Sequence, residues 1–419
     1  MYRKTILDNG TTVVTEQIPH VNSVSIGIWV KIGSRDEKEE ENGISHFIEH
    51  MLFKGTEKRT ALDIAKEIDG VGGALNASTS KEFTNFYAKV LDKDFDLAID
   101  LLSDILRNST FPSQEIERER DVIYQEIKMV EDTPDEYLQD LFNQNFFAQS
   151  PLGNPILGNY QTVSRITPSN ITEFFSNNYL CPGKILVSAA GSLDHKRVIE
   201  KIESTLGQIH PQKNGRFFDT PKPTSGIHIF NKKLEQVHIC IGTKGISHTH
   251  HFRYAGYILN ALLGGNMSSR LFQEVREKYG LAYAIFSYLS SYSDTGILNV
   301  YAGTTAENVK KVIELIVDEL RKIKEHTLEK EEVEKNKEQL KRTVLLSNES
   351  TDSRMNRLAK GELFFGKYIP VEEVLAGITK VSADDIQQLT RDLFQNEFFS
   401  LAALGRVKAK DISPELLKL

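Results

Sequence analysis

Cysteine is scarce in this chain: two among 419 residues, Cys181 and Cys240, far apart and outside any C-x-x-C spacing. That excludes a disulfide framework and a thiolate zinc site, and it suits a reducing compartment. A basic excess is missing too, since 51 Lys and Arg stand against 58 Asp and Glu, so nucleic acid is not an expected partner. No apolar run approaches the length of a membrane span, and Met1–Gln17 shows neither a signal-peptide core nor an Arg- and Ser-rich leader. These absences predict a cytoplasmic protein, or else a mature form, without a membrane partner. What remains is 40% apolar and 26% charged, a globular composition, and the length exceeds one ordinary domain.

The stretch that organises the rest is His46-Phe47-Ile48-Glu49-His50, followed by Met51-Leu52-Phe53-Lys54-Gly55-Thr56. Ile44–Phe53 is apolar with no Gly or Pro, which predicts a short buried helix. Helical spacing then places His46, Glu49 and His50 on one face. Two imidazoles one turn apart suit a zinc ion, and a carboxylate between them suits a general base for a water at that ion. Histidine and glutamate in a helix are most often a solvated face. Here Phe47, Ile48, Met51, Leu52 and Phe53 surround them, and polarity in an apolar setting needs compensation, which a metal provides.

Around this motif the chain reads as alternating strands and helices. Tyr2–Ile6 and Thr11–Gln17 flank Asp8-Asn9-Gly10, a hairpin signal, and Val24 to Ile32 alternate as a long half-buried strand. Arg35–Glu41 reads as a solvated charged loop. Thr60 and Asp63 open a second helix, which Gly70 and Gly72-Gly73 end. Ala74–Ser80 and Phe83–Val90 read as strands, the first polar enough for a sheet edge that could pair with an extended peptide. Helices are predicted over Asp94–Arg107 and from Gln114 to Val130. A catalytic zinc takes three protein ligands plus water, and Glu115, Glu117, Glu119, Glu126 and Glu131 lie on or just past the second of these. Spacing does not choose among them.

The sequence also repeats itself. Ile166–Asn178 and a strand ending at Gly191 parallel Val381–Leu393 and a strand ending at Gly405, an offset of 214 residues (405 − 191). The same offset carries Val24–Ile28 onto His238–Gly242. Two homologous halves follow, 1–211 and 224–419, joined by a linker at 212–223. The fold class expected is α+β: two halves, each a mainly antiparallel sheet with helices packed on it, closing as a clamshell around a central cavity. Carried across by 214, His46, Glu49 and His50 become Asn260, Leu263 and Gly264, and Glu126 becomes Leu340, so the second half cannot build the same site. His248, His250 and His251 read as a polar turn, since no carboxylate or cysteine nearby completes a metal set.

The segment His46–Thr56, HFIEHMLFKGT, inverts the thermolysin-type H-E-x-x-H motif. It resembles the signature of the pitrilysin/insulinase/mitochondrial processing peptidase family of zinc peptidases, closest to the catalytic beta processing-peptidase subunit and its bacterial single-chain relatives. The resemblance covers nearly the whole chain. It implies one Zn2+ per chain, with Glu126 as the third ligand beside His46 and His50, and Glu119, two turns earlier on the same face, orienting the ligands. It implies a substrate-binding edge at Ala74, Leu75, Asn76 and Ala77. In Gly264–Tyr283, residue chemistry alone reads as a glycine break, a helix over Ser269–Lys278 capped by Gly280, and a strand. The resemblance instead implies that Arg276 and Tyr283 reach the substrate, Arg holding a peptide carbonyl and Tyr supporting the oxyanion. The expected function is a zinc-dependent endopeptidase with Glu49 as base, acting on peptides or unfolded, presequence-like segments. A bacterial-like cytoplasmic homodimer is expected, with a heterodimer of homologous chains as the alternative state. The rival reading is a non-catalytic structural or peptide-binding subunit of the same fold; intact His46, Glu49, His50 and Glu126 argue against it.

Overall fold

The computed structural model describes residues 1–210, 219–408 and 412–419, so most of the expected linker, 212–218, lies outside the described residues. In chain order the first half runs β1 (Tyr2–Ile6), β2 (Thr12–Gln17), β3 (Ser23–Val30), α1 (Ile44–Met51), α2 (Ala61–Gly70), β4 (Ala74–Thr79), β5 (Thr84–Leu91), α3 (Phe95–Asn108), α4 (Ser113–Asp132), α5 (Pro134–Phe146), α6 (Tyr160–Arg165), α7 (Pro168–Asn178), β6 (Ile185–Gly191) and α8 (His195–Thr205). The second runs β7 (Gly226–Asn231), β8 (Val237–Lys244), α9 (Arg253–Leu263), β9 (Ala282–Ser291), β10 (Gly296–Thr304), α10 (Val309–Glu325), α11 (Lys330–Ser347), α12 (Thr351–Phe365), α13 (Val371–Lys380), α14 (Ala383–Leu393) and β11 (Ser400–Gly405). A π-helical stretch, Phe272–Lys278, precedes β9.

The chain divides into two compact units. One comprises Met1–Lys128, Asn154–Phe218 and Leu346–Ile369; the other comprises Met129–Gly153, Asp219–Leu345 and Pro370–Leu419. Each is built on one sheet, in the orders β1-β2-β6-β3-β5-β4 and β7-β11-β8-β10-β9. Neighbours are antiparallel except β2 with β6 and β7 with β11. The architecture is α+β with two homologous halves.

In the first unit one face of the sheet buries Val24, Ile26 and Ile28 against Phe47, Ile48 and Leu52 and against Leu102 and Ile105 of α3. The opposite face buries Val14, Trp29, Leu186 and Ala190 against Met355, Leu358 and Ala359 of α12. Polar contacts seat that helix: Arg354 and Arg357 pair with Glu16 at 2.7 and 3.1 Å, and the Ser188 hydroxyl donates to the Met355 carbonyl at 2.8 Å. With both faces covered, every residue of β3 after Ser23 is buried, which corrects the expectation of a half-buried strand. Ser25, read as part of the wet face, bonds to Thr351 and Asp352 of a helix some 330 residues later in sequence, and a local pattern carries no trace of it.

The second unit repeats the scheme. Val237, Ile239 and Ile241 pack with Ile258, Leu259 and Leu262 of α9, while Cys240, Tyr301, Ala402 and Leu404 pack with Leu138, Phe142 and Phe146 of α5. Each sheet is thus closed on its second face by a helix from the other half of the sequence.

The pairing refines the repeat. Gly191 and Gly405, with φ of +142° and +136°, lie against Val24 and Val237 respectively, so Val24 corresponds to Val237 and β3 maps onto β8 with an offset of 213 (237 − 24). The expected match of Val24 to His238 is therefore one residue out, and a one-residue slip exchanges the two faces of a strand. The hydrophobic partition agrees, since Cys240 faces α5 while Ile239 and Ile241 face the helices of their own half. At an offset of 213 the metal motif falls on Leu259, Leu262 and Leu263, so neither offset restores a ligand.

Among the described residues no helix is long and apolar enough to cross a membrane. Leu358 is 2% exposed between the sheet and its own helix. Leu358→Ala is expected to destabilise the first unit by about 2–4 kcal/mol through transfer and cavity terms. Lys360→Ala, on the exposed side of the same helix, should stay within about 0.5 kcal/mol; urea unfolding followed by tryptophan fluorescence, which reports Trp29, checks both.

Candidate active site

The helix α1 is eight residues long and enters from Gly43, whose φ of +98° and contact with the Leu157 carbonyl leave no room for a side chain. Its apolar face, Ile44, Phe47, Ile48 and Met51, is fully buried, so His46, Glu49 and His50 are left on the remaining face. The His46 and His50 rings meet edge to face with centroids 4.6 Å apart.

The helix α4 crosses beside this face. Arg120 holds it there, donating to the carbonyls of Val163 and Ile166 while its guanidinium lies 5.5 Å from the Phe47 ring centre. Glu126 Oε2 sits 3.5 Å from His46 Nε2 and 3.5 Å from His50 Nε2. Two turns back along α4, Glu119 Oε2 accepts a 3.0 Å hydrogen bond from His50 Nδ1, and its other oxygen takes the Lys54 ammonium at 2.6 Å. A carboxylate only accepts, so His50 donates from Nδ1 and presents its other ring nitrogen, Nε2, to Glu126. Of the other glutamates considered on this helix, Glu115 and Glu117 pair with Arg118 and Arg120.

Burial, with the neighbouring His50 adding to it, pushes the His46 imidazole down to about 3, so it is neutral and free to ligate. Its Nδ1 is buried and has no hydrogen-bond partner among the described residues. The ligand atoms of His46, His50 and Glu126 lie within 4.8 Å of one another, and among the described residues this is the one His/Cys/Asp/Glu group so disposed. Two imidazole nitrogens and a carboxylate oxygen converge at distances too long for good hydrogen bonds, which is the donor set and spacing a cation between them requires. The residues therefore fit a zinc ion.

Glu49 has a different setting. Its carboxylate accepts a short hydrogen bond from the Thr79 hydroxyl on β4, and burial raises its pKa above the usual carboxylate range against the pull of that bond. The strand β4 is the edge of the sheet, paired only with β5, and its residues alternate between exposed and half-buried. A groove of about 700 Å³ runs beside it, lined by Ala74, Leu75 and Asn76, by Phe53, Ile64 and Ile68, and by Asp352 of α12.

Arg276 and Tyr283 lie in the second unit. Arg276 is on the π-helical stretch, with its guanidinium 4.6 Å from the Phe272 ring centre and 5.6 Å from that of Tyr283. Tyr283, on β9, is 79% exposed.

Sequence reasoning missed three supporting residues: Thr79 at Glu49, Lys54 at Glu119, and Glu37 at the start of α1. Glu37 belongs to the charged loop read as solvated, yet Ser34, Arg35, Asp36 and Glu37 are buried. Lys54 stands inside the motif at a helical distance of four from His50, which is the signal that could have found it. Glu119 is 5% exposed and Lys54 is its cationic partner. A double-mutant cycle with Lys54→Met and Glu119→Gln, read by thermal unfolding of metal-stripped protein, is expected to give a coupling of about 1–2 kcal/mol, discounted for the partial exposure of Lys54.

Comparison with known proteins places the chain in a family. The family model for insulinase (peptidase family M16) matches residues 12–159, and that for the peptidase M16 inactive domain matches residues 165–340. An uncharacterized zinc protease of Streptomyces coelicolor is 40% identical over 424 residues, covering 98% of this chain and 91% of that protein. One of Bacillus subtilis is 39% identical over 398 residues, covering 95% and 97%. The fold matches a crystal structure of a protease from Helicobacter pylori with a TM-score of 0.90 at 22% identity, over 97% of this chain and 99% of that one. It matches that of a peptidase M16 inactive domain from Pseudomonas fluorescens with a TM-score of 0.89 at 17% identity, over 96% and 98%. The chain belongs to the insulinase (M16) family of peptidases, and its relatives are zinc proteases.

Proposed function

We propose that this protein is a zinc-dependent endopeptidase that cleaves extended peptides or unfolded, presequence-like segments, with His46, His50 and Glu126 as metal ligands and Glu49 as the acid–base residue. The observation that carries this reading is the convergence of three ligand atoms within 4.8 Å at the foot of a helix whose intervening glutamate is tied to an edge strand. When bound, zinc supplies Lewis acidity, lowering the pKa of water and polarising a peptide carbonyl.

The chain's own residues do the rest. Glu119 fixes the His50 tautomer and ring orientation. Glu49 accepts a proton from the attacking water as its oxygen bonds to the carbonyl carbon, and passes it to the leaving amine as the C–N bond breaks. A raised pKa suits that exchange, because a carboxylate poised nearer neutrality both takes and returns a proton. Thr79 holds Glu49 in position. Ala74, Leu75, Asn76 and Ala77 offer backbone groups on a sheet edge, where an extended substrate adds as a further strand in a register set by main-chain hydrogen bonds. Such pairing selects chains free to extend and rejects folded proteins. In this reading Arg276 holds a substrate carbonyl and Tyr283 supports the developing negative charge. One kind of chain suffices, as a homodimer.

Glu49→Gln is expected to retain zinc and to lower kcat at least about 100-fold, the range general acid–base catalysis spans. Turnover within about tenfold of the parent would remove Glu49 from the assigned role. Glu126→Gln should lower the metal content of dialysed protein, and an unchanged zinc content would move the third ligand elsewhere.

A further inference from the structure

The metal-bearing helix begins at a glycine and so has no side chain of its own to cap it, and no N-cap side-chain hydrogen bond is made there. The cap comes from outside. Glu37, 0% exposed, accepts from the Gly43 amide at 2.8 Å and the Asn42 side-chain amide at 2.9 Å through one oxygen, and from the Ser45 amide at 2.8 Å through the other. Asn42 is itself fixed by donating to the Pro155 carbonyl at 2.9 Å.

Capping alone does not require this. An exposed Ser, Thr or Asp satisfies the first amides of a helix, whereas burying a whole carboxylate carries a desolvation cost that only several donors offset. Two-point attachment adds a geometric constraint. With each oxygen bound to a different turn-forming amide, the carboxylate fixes both the start and the rotation of α1, and the second of those amides belongs to the residue before His46. The helix spans two turns, so a rotation at its start reaches His50 undiminished. We propose that Glu37 is a positioning residue for the metal centre, holding α1 at the rotation that presents His46 and His50 to Glu126. This rests on the metal reading above.

The test is zinc binding to metal-stripped full-length protein, by competition with a chromophoric chelator, for the parent, Glu37→Gln, Asn42→Ala and His50→Ala. Gln keeps the shape but replaces one accepting oxygen with a donor. The expected result is that Glu37→Gln stays folded by circular dichroism and binds zinc about tenfold or more weakly, the range for residues that orient metal ligands. At saturating zinc it should also lower kcat with KM unchanged. Asn42→Ala, which leaves both backbone contacts, should weaken binding by a smaller factor, about twofold to threefold on the same scale. A folded Glu37→Gln whose zinc affinity stays within twofold of the parent, with a lower Tm as its one defect, would overturn the proposal and leave Glu37 a stabilising cap. If Glu37→Gln does not fold, Asn42→Ala decides, and unchanged zinc affinity there overturns the proposal. Zinc binding by His50→Ala equal to the parent's would instead remove the metal reading, and with it the role of Glu37.

Discussion

The structure depends on one constraint: a short helix must be buried on its apolar side and still offer three ionisable side chains, two of them imidazoles, on the other. An unpaired polar group in such a place costs several kcal/mol, so each must find a partner or a ligand. Most do. His50 leans on Glu119, Glu119 on Lys54, Glu49 on Thr79, and the helix start on Glu37. What stays unsatisfied is informative: His46 and His50 each present Nε2 to one oxygen of Glu126 at 3.5 Å, and His46 Nδ1 has no partner among the described residues. The polar residues left over are those a metal would use.

The surrounding fold can be read as a set of clamps on that helix. The first sheet supplies its apolar bed, α4 supplies Glu119 and Glu126, and Arg120 pins α4 to the carbonyls of Val163 and Ile166. The loop before Gly158 closes on Asn42 and Gly43, where only glycine fits. The edge strand β4 joins two features of this surface, because Thr79 at its end touches Glu49 while Ala74, Leu75 and Asn76 line the adjoining groove.

Much of this was legible in the sequence where the cause was local. The spacing of His46, Glu49 and His50, the glycine break before Ala74 and the polar character of β4 are properties of neighbouring residues, and periodicity reports them directly. What was not legible depends on residues distant in sequence. Glu126 stood among five candidates, and spacing alone did not separate it from the others, since its distinction is a place on α4 opposite α1. Arg35–Glu41 looked solvated because charge runs usually are; burial of Glu37 follows from three donors at positions 42, 43 and 45 that come together when the loop folds back. The double coverage of β3 comes from α12, and the one-residue difference between the offsets of 213 and 214 is a register effect that hydrophobic pattern alone leaves undetermined.

The central claim is that the convergence of His46, His50 and Glu126 is a zinc centre that hydrolyses peptides. Metal analysis of the purified chain, paired with cleavage of a quenched fluorescent basic peptide before and after chelation, tests it most directly. The account predicts about one zinc per chain, the stoichiometry of a single three-ligand site, with cleavage lost on chelation and regained on adding zinc back. Protein that holds no zinc, or cleavage indifferent to the chelator, would contradict it.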